Sequence, residues 1–166
     1  MIQKKVCLLG AYGVGKTSLV ARFVHRVFSE KYLSTLGVRV DRKAVQLEGQ
    51  ELNMLLWDLS GEDQFQPIQP SYIRGSSGYL LVADGTRPAT LETALSIHQR
   101  AQNVVGQVPF VLLINKHDLP WDIPDSTLEE LRGQGFALYF SSAKSGEGVE
   151  EAFDHLARGM LGSYRV

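Results

Sequence analysis

Two hydrophobic periods alternate along the chain. Short, nearly unbroken apolar runs occur at "KKVCLLG" (4–10), "GYLLVADG" (78–85), "VPFVLLINK" (108–116) and "FALYF" (136–140). Their length and continuity predict strands buried on both faces. Between them lie segments of helical period. "ATLETALSIHQRAQNVV" (89–105) puts Leu91, Ala94, Leu95, Ile97, Ala101, Val104 and Val105 on one face. "GVEEAFDHLARGML" (148–161) does the same with Val149, Ala152, Phe153, Leu156 and Met160. "GKTSLVARFVHRVF" (15–28) and "DSTLEELRGQG" (125–135) complete the helical set, the latter with Ser126 or Asp125 as its expected cap and glycine as its stop. "GVRVDRKAVQL" and "LNMLLWDL" read as two strands joined by the short turn "EGQ", an antiparallel hairpin. Strands and helices in this alternation predict an α/β three-layer sandwich around a mostly parallel sheet, in one domain spanning 1–166.

Composition narrows the class. Hydrophobic residues make up 44% and charged residues 21% of the chain, which excludes disorder. Seventeen basic residues face 18 acidic ones, so charge gives no reason to expect nucleic acid as a partner. Cys7 is the only cysteine and reads as a small buried apolar residue; with no disulfide to form, a reducing, cytoplasmic setting is expected. No apolar run reaches membrane-spanning length. Ile2 excludes N-myristoylation and "GSYRV" offers no cysteine to prenylate, so no direct lipid anchor is expected. His25, His98, His117 and His155 show no metal-ligand spacing.

The chemistry is concentrated first in "GAYGVGKTSL" (10–19), which fits G-x-x-x-x-G-K-[ST] between a predicted strand and a predicted helix. Gly13 and Gly15 let the backbone curl so that successive N–H groups face a polyphosphate, and the following helix adds its dipole. Lys16 neutralises outer phosphates and the Thr17 hydroxyl is placed for Mg²⁺. Four fixed positions arise by chance in under about one chain in a hundred of this length. "NKHD" (115–118) closes another predicted strand. An aspartate there accepts hydrogen bonds from N1–H and the exocyclic amine of guanine, which adenine cannot supply.

Five ordered signatures, "GAYGVGKT", "YLSTLGV" (32–38), "WDLSGE" (57–62), "NKHD" and "SSAK" (141–144), resemble those of the Ras-like small GTPases, most closely the Rab branch. "QFQPIQPSYIRGSSGYLLV" resembles the segment after the second Rab switch, and the resemblance covers nearly residues 4–160. It implies a P-loop NTPase fold with six strands, one of them an antiparallel edge strand, and about five helices. It further implies a switch that binds GTP or GDP with Mg²⁺ and hydrolyses GTP. The nucleotide-contacting set is then Gly13, Val14, Gly15, Lys16, Thr17, Ser18, Phe28, Asn115, Lys116, Asp118, Ser142, Ala143 and Lys144. Thr17, Thr35 and Asp58 are the implied Mg²⁺ set, and Lys16, Thr35, Gly61 and Glu62 the implied catalytic set. Effectors and regulators of the nucleotide cycle are the implied partners, reading residues of about 30–40 and 59–75, with the chain itself a monomer.

Two positions depart from the family. Glu62 stands where the family usually has the glutamine that orients water. A carboxylate cannot donate to the phosphoryl oxygens and adds negative charge beside them, so slow hydrolysis is expected. Tyr12 puts a bulky side chain where an arginine supplied in trans would approach; it either points to solvent or covers the γ-phosphate. Gln64 is a substitute for the missing glutamine if its loop rearranges, and Arg39 and Arg74 are candidate internal arginines, otherwise solvated surface charge. A GTP-locked scaffold without useful catalysis is the alternative. An ATP-using enzyme is disfavoured by "NKHD" and "SSAK". Trp57 is expected at a strand end and Trp121 partly exposed in a loop.

Overall fold

The computed structural model describes residues 2–25, 38–59 and 67–162. Phe28, Thr35, Gly61, Glu62 and Gln64 lie outside them. Six strands, β1 (Ile2–Gly10), β2 (Val38–Leu47), β3 (Gln50–Leu59), β4 (Gly78–Asp84), β5 (Phe110–Asn115) and β6 (Leu138–Phe140), form one sheet in the order β2-β3-β1-β4-β5-β6. Every pairing is parallel except β2 with β3. That pair turns through Glu48 and Gly49, both at positive φ (49° and 82°), the two-residue turn whose twist suits an antiparallel hairpin. The predicted six-stranded sheet with one antiparallel edge strand is the one observed.

Period two in the central strands explains the three layers. On one face Val6, Leu8, Leu80, Val82, Val111 and Leu113 pack against Leu19, Val20 and Phe23 and against Phe153 and Leu156 of α5 (Val149–Met160). On the other, Cys7, Leu9, Tyr79, Leu81, Leu112 and Ile114 pack against α3 (Ala89–Val105) and α4 (Asp125–Gly133). Each alternate residue therefore enters a different core, so the strands read as unbroken apolar runs. Phe23 and Phe153 stack at 3.9 Å and 3° between planes, fixing the first and last helical segments to each other. Such a ring pair adds about 0.5–1.5 kcal/mol beyond its buried area.

Three local expectations are modified. The first helix is α-helical only as α1 (Lys16–Val20) and continues as a wider π-helical turn over Ala21–His25. Within that turn Arg22 reaches across to the carbonyls of Ala143 (2.8 Å) and Lys144. Neither Asp125 nor Ser126 caps α4 by a side-chain bond: Pro124, extended at φ −64° and ψ 143°, precedes the helix, and Asp125 serves as the acidic residue of its first turn. The last strand starts two residues later than "FALYF" predicts, and Phe136, just before it, packs on His98 and Phe110. A further short helix, α2 (Pro70–Ile73), leads into β4. Among the described residues no helix is long and apolar enough to cross a membrane.

Candidate functional site

The loop between β1 and α1 and the ends of β3, β4 and β5 meet at one edge of the sheet. Gly13 and Gly15 hold φ of 78° and 104°, so the loop takes the curled path its glycines permit. At Gly15 a side chain has no room: an added Cβ would stand 2.3 Å from Asn115 Nδ2. Lys16 is 5% exposed, and its ammonium donates to the carbonyls of Gly10 (3.3 Å) and Ala11 (3.0 Å). Burial lowers its pKa to about 8; the Asp58 charge opposes that shift and the Arg87 charge adds to it. A phosphate group would relieve this penalty by giving the ammonium a counter-charge.

Beside Lys16, the Thr17 hydroxyl donates to Asp58 Oδ2 at 2.7 Å, and Asp58 is wholly buried at the end of β3. A hydroxyl and a carboxylate in contact at the mouth of a phosphate loop are hard oxygen donors of the kind Mg²⁺ takes, so these two residues fit that ion. Among the described residues no group of three His, Cys, Asp or Glu side chains forms a protein-only metal cage. Mg²⁺ commonly needs none, because it relies on one or two protein ligands with phosphate and water.

The end of β5 supplies the neighbouring cleft, lined by Gly15, Ser18, Asn115, Lys116, Asp118, Leu119, Ala143 and Lys144. Asn115, 2% exposed, donates from Nδ2 to Val14 O at 3.0 Å and accepts from Ser141 Oγ at 3.2 Å. Ser142 Oγ donates to Asp118 Oδ1 at 2.8 Å and so orients that carboxylate. The Lys116 ammonium lies between Gly13 O (3.2 Å) and Asp84 Oδ2 (2.7 Å). Lys116 also has φ of 68°, a left-handed backbone uncommon for a residue with a side chain. Trp121 supports it: its indole N–H donates to Lys116 O at 3.1 Å while its ring covers Gly85, where a Cβ would fall 2.2 Å from Nε1. Trp121 is partly exposed in a loop, as expected, and also braces the motif.

Of the predicted site residues, Gly13, Val14, Gly15, Lys16, Thr17, Ser18, Asp58, Asn115, Lys116, Asp118, Ser142, Ala143 and Lys144 are described, and they gather at the phosphate loop and the cleft beside it, with the Val14 side chain in the core and only its carbonyl at the site. Of the two candidate internal arginines, Arg39 is occupied by Asp41 at 3.2 Å on the edge strand β2, and Arg74 is exposed just beyond α2. Among the described residues the arginine that touches the phosphate loop is Arg87, which donates from Nη2 to Tyr12 O at 3.0 Å. Nothing in its local sequence marks it except its place three residues after Asp84, to which its Nε donates at 3.0 Å. Tyr12 itself is 48% exposed.

A sequence model of the Ras family matches residues 5–162. The chain is 34% identical over 163 residues to the Ras-related protein Rab-13 of Mesocricetus auratus, covering 95% of this chain and 79% of that protein. It is 31% identical over 171 residues to Ras-related protein Rab-32C of Dictyostelium discoideum, covering 99% and 76%. Against human Ras-related protein Rab-8B it is 31% identical over 164 residues, covering 95% and 78%. With the phosphate loop, the half-buried Thr17–Asp58 pair and the Asn115–Asp118 cleft on one sheet edge, these matches establish that the chain belongs to the Ras family of small GTPases.

Proposed function

We propose that this chain is a GTP/GDP-binding switch with slow intrinsic GTP hydrolysis, acting as a single 1–166 domain. The observation that carries the reading is that Lys16, the Thr17–Asp58 pair and the Asp118 cleft adjoin across the same loop, with Asn115 and Lys116 bonded to it directly. Asp118, oriented by Ser142, accepts the two N–H groups of a guanine edge. Ala143 and Lys144 close that cleft, and their carbonyls are held by Arg22. Lys16 exchanges its carbonyl partners for the outer phosphates, which offer a full charge in their place. Thr17 and Asp58 would hold Mg²⁺, with Thr35 joining them; the ion supplies charge neutralisation at the outer phosphates.

Glu62 sets the rate of hydrolysis. A carboxylate in place of the family's glutamine would oppose the build-up of charge in the transition state and cannot donate a hydrogen bond to it. Effectors and regulators of the cycle would read residues of about 30–40 and 59–75, whose contacts change when the γ-phosphate leaves. A monomer in the cytoplasm, without nucleic acid as a partner, completes the proposal. Single-turnover hydrolysis of preloaded GTP without partners, beside the Glu62→Gln variant, tests it. Slow turnover that rises in the variant supports the role of Glu62. Brisk turnover unchanged by the substitution removes that role and moves attention to Gln64.

A further inference from the structure

Three consecutive carbonyls of the phosphate loop are held from outside it. Val14 O accepts from Asn115 Nδ2 (3.0 Å), Gly13 O from Lys116 Nζ (3.2 Å) and Tyr12 O from Arg87 Nη2 (3.0 Å). The described peptide bonds are all trans, and a planar trans peptide points its N–H opposite to its C=O. Fixing carbonyls 12, 13 and 14 outward therefore turns the N–H groups of Gly13, Val14 and Gly15 to the opposite side, where phosphate oxygens would be received. Asn115 and Lys116 belong to the base-recognition segment. Arg87 belongs to no motif, coming from the loop between β4 and α3.

The guanidinium is also fixed at its other end. Its Nε donates to Asp84 Oδ2 at 3.0 Å, the same oxygen that receives Lys116 Nζ at 2.7 Å. Asp84 is wholly buried, and its Oδ1 accepts from the Thr86 N–H (2.9 Å) and hydroxyl (2.6 Å). Burial alone would push the Asp84 carboxyl up; the hydrogen bonds from Lys116, Thr86 and Arg87 outweigh it and keep the group ionised. A buried carboxylate thus holds two cations, and each cation holds one of two successive loop carbonyls. Only a forked, planar side chain can meet Asp84 and Tyr12 O in this way from one rigid group.

We propose that Arg87 is a positioning residue for the outer phosphates of the bound nucleotide: through its fork onto Asp84 and Tyr12 O it sets the Tyr12–Gly13 peptide and aims the Gly13 N–H into the phosphate cradle. The proposal rests on the nucleotide-binding reading above. It also couples the cradle to the base cleft, since Lys116 shares the Asp84 oxygen. The positive charge of Arg87 is felt at Lys16, which places the guanidinium within electrostatic reach of the phosphate-binding ammonium.

The test measures release of a fluorescent GDP analogue from the Mg²⁺-loaded protein, with the phosphorus NMR spectrum of bound GDP alongside. Arg87→Ala is expected to speed release about tenfold or more, the scale of a lost charged hydrogen bond, and to move the β-phosphate resonance. Arg87→Lys should recover part of both effects, because an ammonium keeps the charge but not the fork. Arg158→Ala, which loses ion pairs to Glu48 and Asp154 instead, should match the wild type. Wild-type release and an unmoved β-phosphate resonance in Arg87→Ala would overturn the proposal. So would faster release with an unmoved resonance, since that marks a purely structural loss. If Arg87→Ala does not fold, Arg87→Lys and Arg87→Gln decide by the same two readouts. A wild-type protein that fails to retain the analogue would take down the nucleotide reading itself, and this role with it.

Discussion

Substituting Gly15 by alanine isolates the contact between the phosphate loop and the base-recognition segment. Gly15 sits at φ 104°, and the new Cβ would lie 2.3 Å from Asn115 Nδ2. Two costs follow. A non-glycine residue in that backbone region costs about 1–3 kcal/mol. Displacing the Asn115 amide breaks its bond to Val14 O in a buried setting, a further ~1–3 kcal/mol. Gly49, at φ 82° with nothing within 4 Å of its added Cβ, carries the first cost without the second. Subtracting the loss of stability in Gly49→Ala from that in Gly15→Ala therefore removes most of the backbone term. The remainder, expressed at the nucleotide, corresponds to release about 5- to 150-fold faster in Gly15→Ala than in Gly49→Ala. Stopped-flow release of a fluorescent GDP analogue measures this, with denaturant unfolding of both variants as the stability reference. Equal release rates in the two variants would refute the claim that Asn115 fixes the loop through this contact.

Other consequences concern protonation. The Lys16 ammonium carries a burial penalty below its folded pKa of about 8, and the penalty fades as pH rises toward the ordinary value of 10.5. Without nucleotide, Lys16→Met should therefore be more stable than the wild type near pH 7, with the gap closing between pH 8 and 10.5 in melting experiments; a pH-independent gap would contradict this. His98 is buried beside Phe110 and Phe136, its Nδ1 2.9 Å from the Tyr79 hydroxyl, and burial lowers its pKa. The folded state thus resists protonation more than the unfolded one, so stability should fall as pH drops through about 6.5, and His98→Gln should flatten that fall. Tyr79→Phe leaves the imidazole without that partner and should cost about 1–3 kcal/mol in equilibrium unfolding near pH 7; an unchanged midpoint would show the bond to be energetically idle.

Much of the fold was legible because its signals are local. The apolar face of α3 spans 89–105 in sequence and in structure, and the Glu48–Gly49 turn announces the hairpin. The phosphate loop and the Asn115–Asp118 cleft were legible for the same reason: each needs specific residues at fixed spacing. What escaped is set by contacts between distant segments. Arg87 meets Tyr12 across 75 positions, and Arg22 meets Ala143 across 121. The Tyr79–His98 pair hides in two segments that each look merely apolar or helical. Trp121 follows a loop signal, yet its ring replaces the side chain that Gly85 lacks. The α4 start misled for another reason: Asp and Ser are plausible caps by type, but the extended Pro124 sets the helix entry one or two residues earlier.

The proposed function depends above all on guanine being recognised at this sheet edge through Asp118. Competition against a bound fluorescent GDP analogue, using unlabelled GTP, ATP and XTP on the wild type and on Asp118→Asn, tests it most directly. GTP alone should displace the analogue efficiently from the wild type, and in Asp118→Asn the preference should pass to XTP, which accepts where guanine donates. Equal competition by ATP and GTP in the wild type, or unchanged GTP affinity in Asp118→Asn, would contradict it.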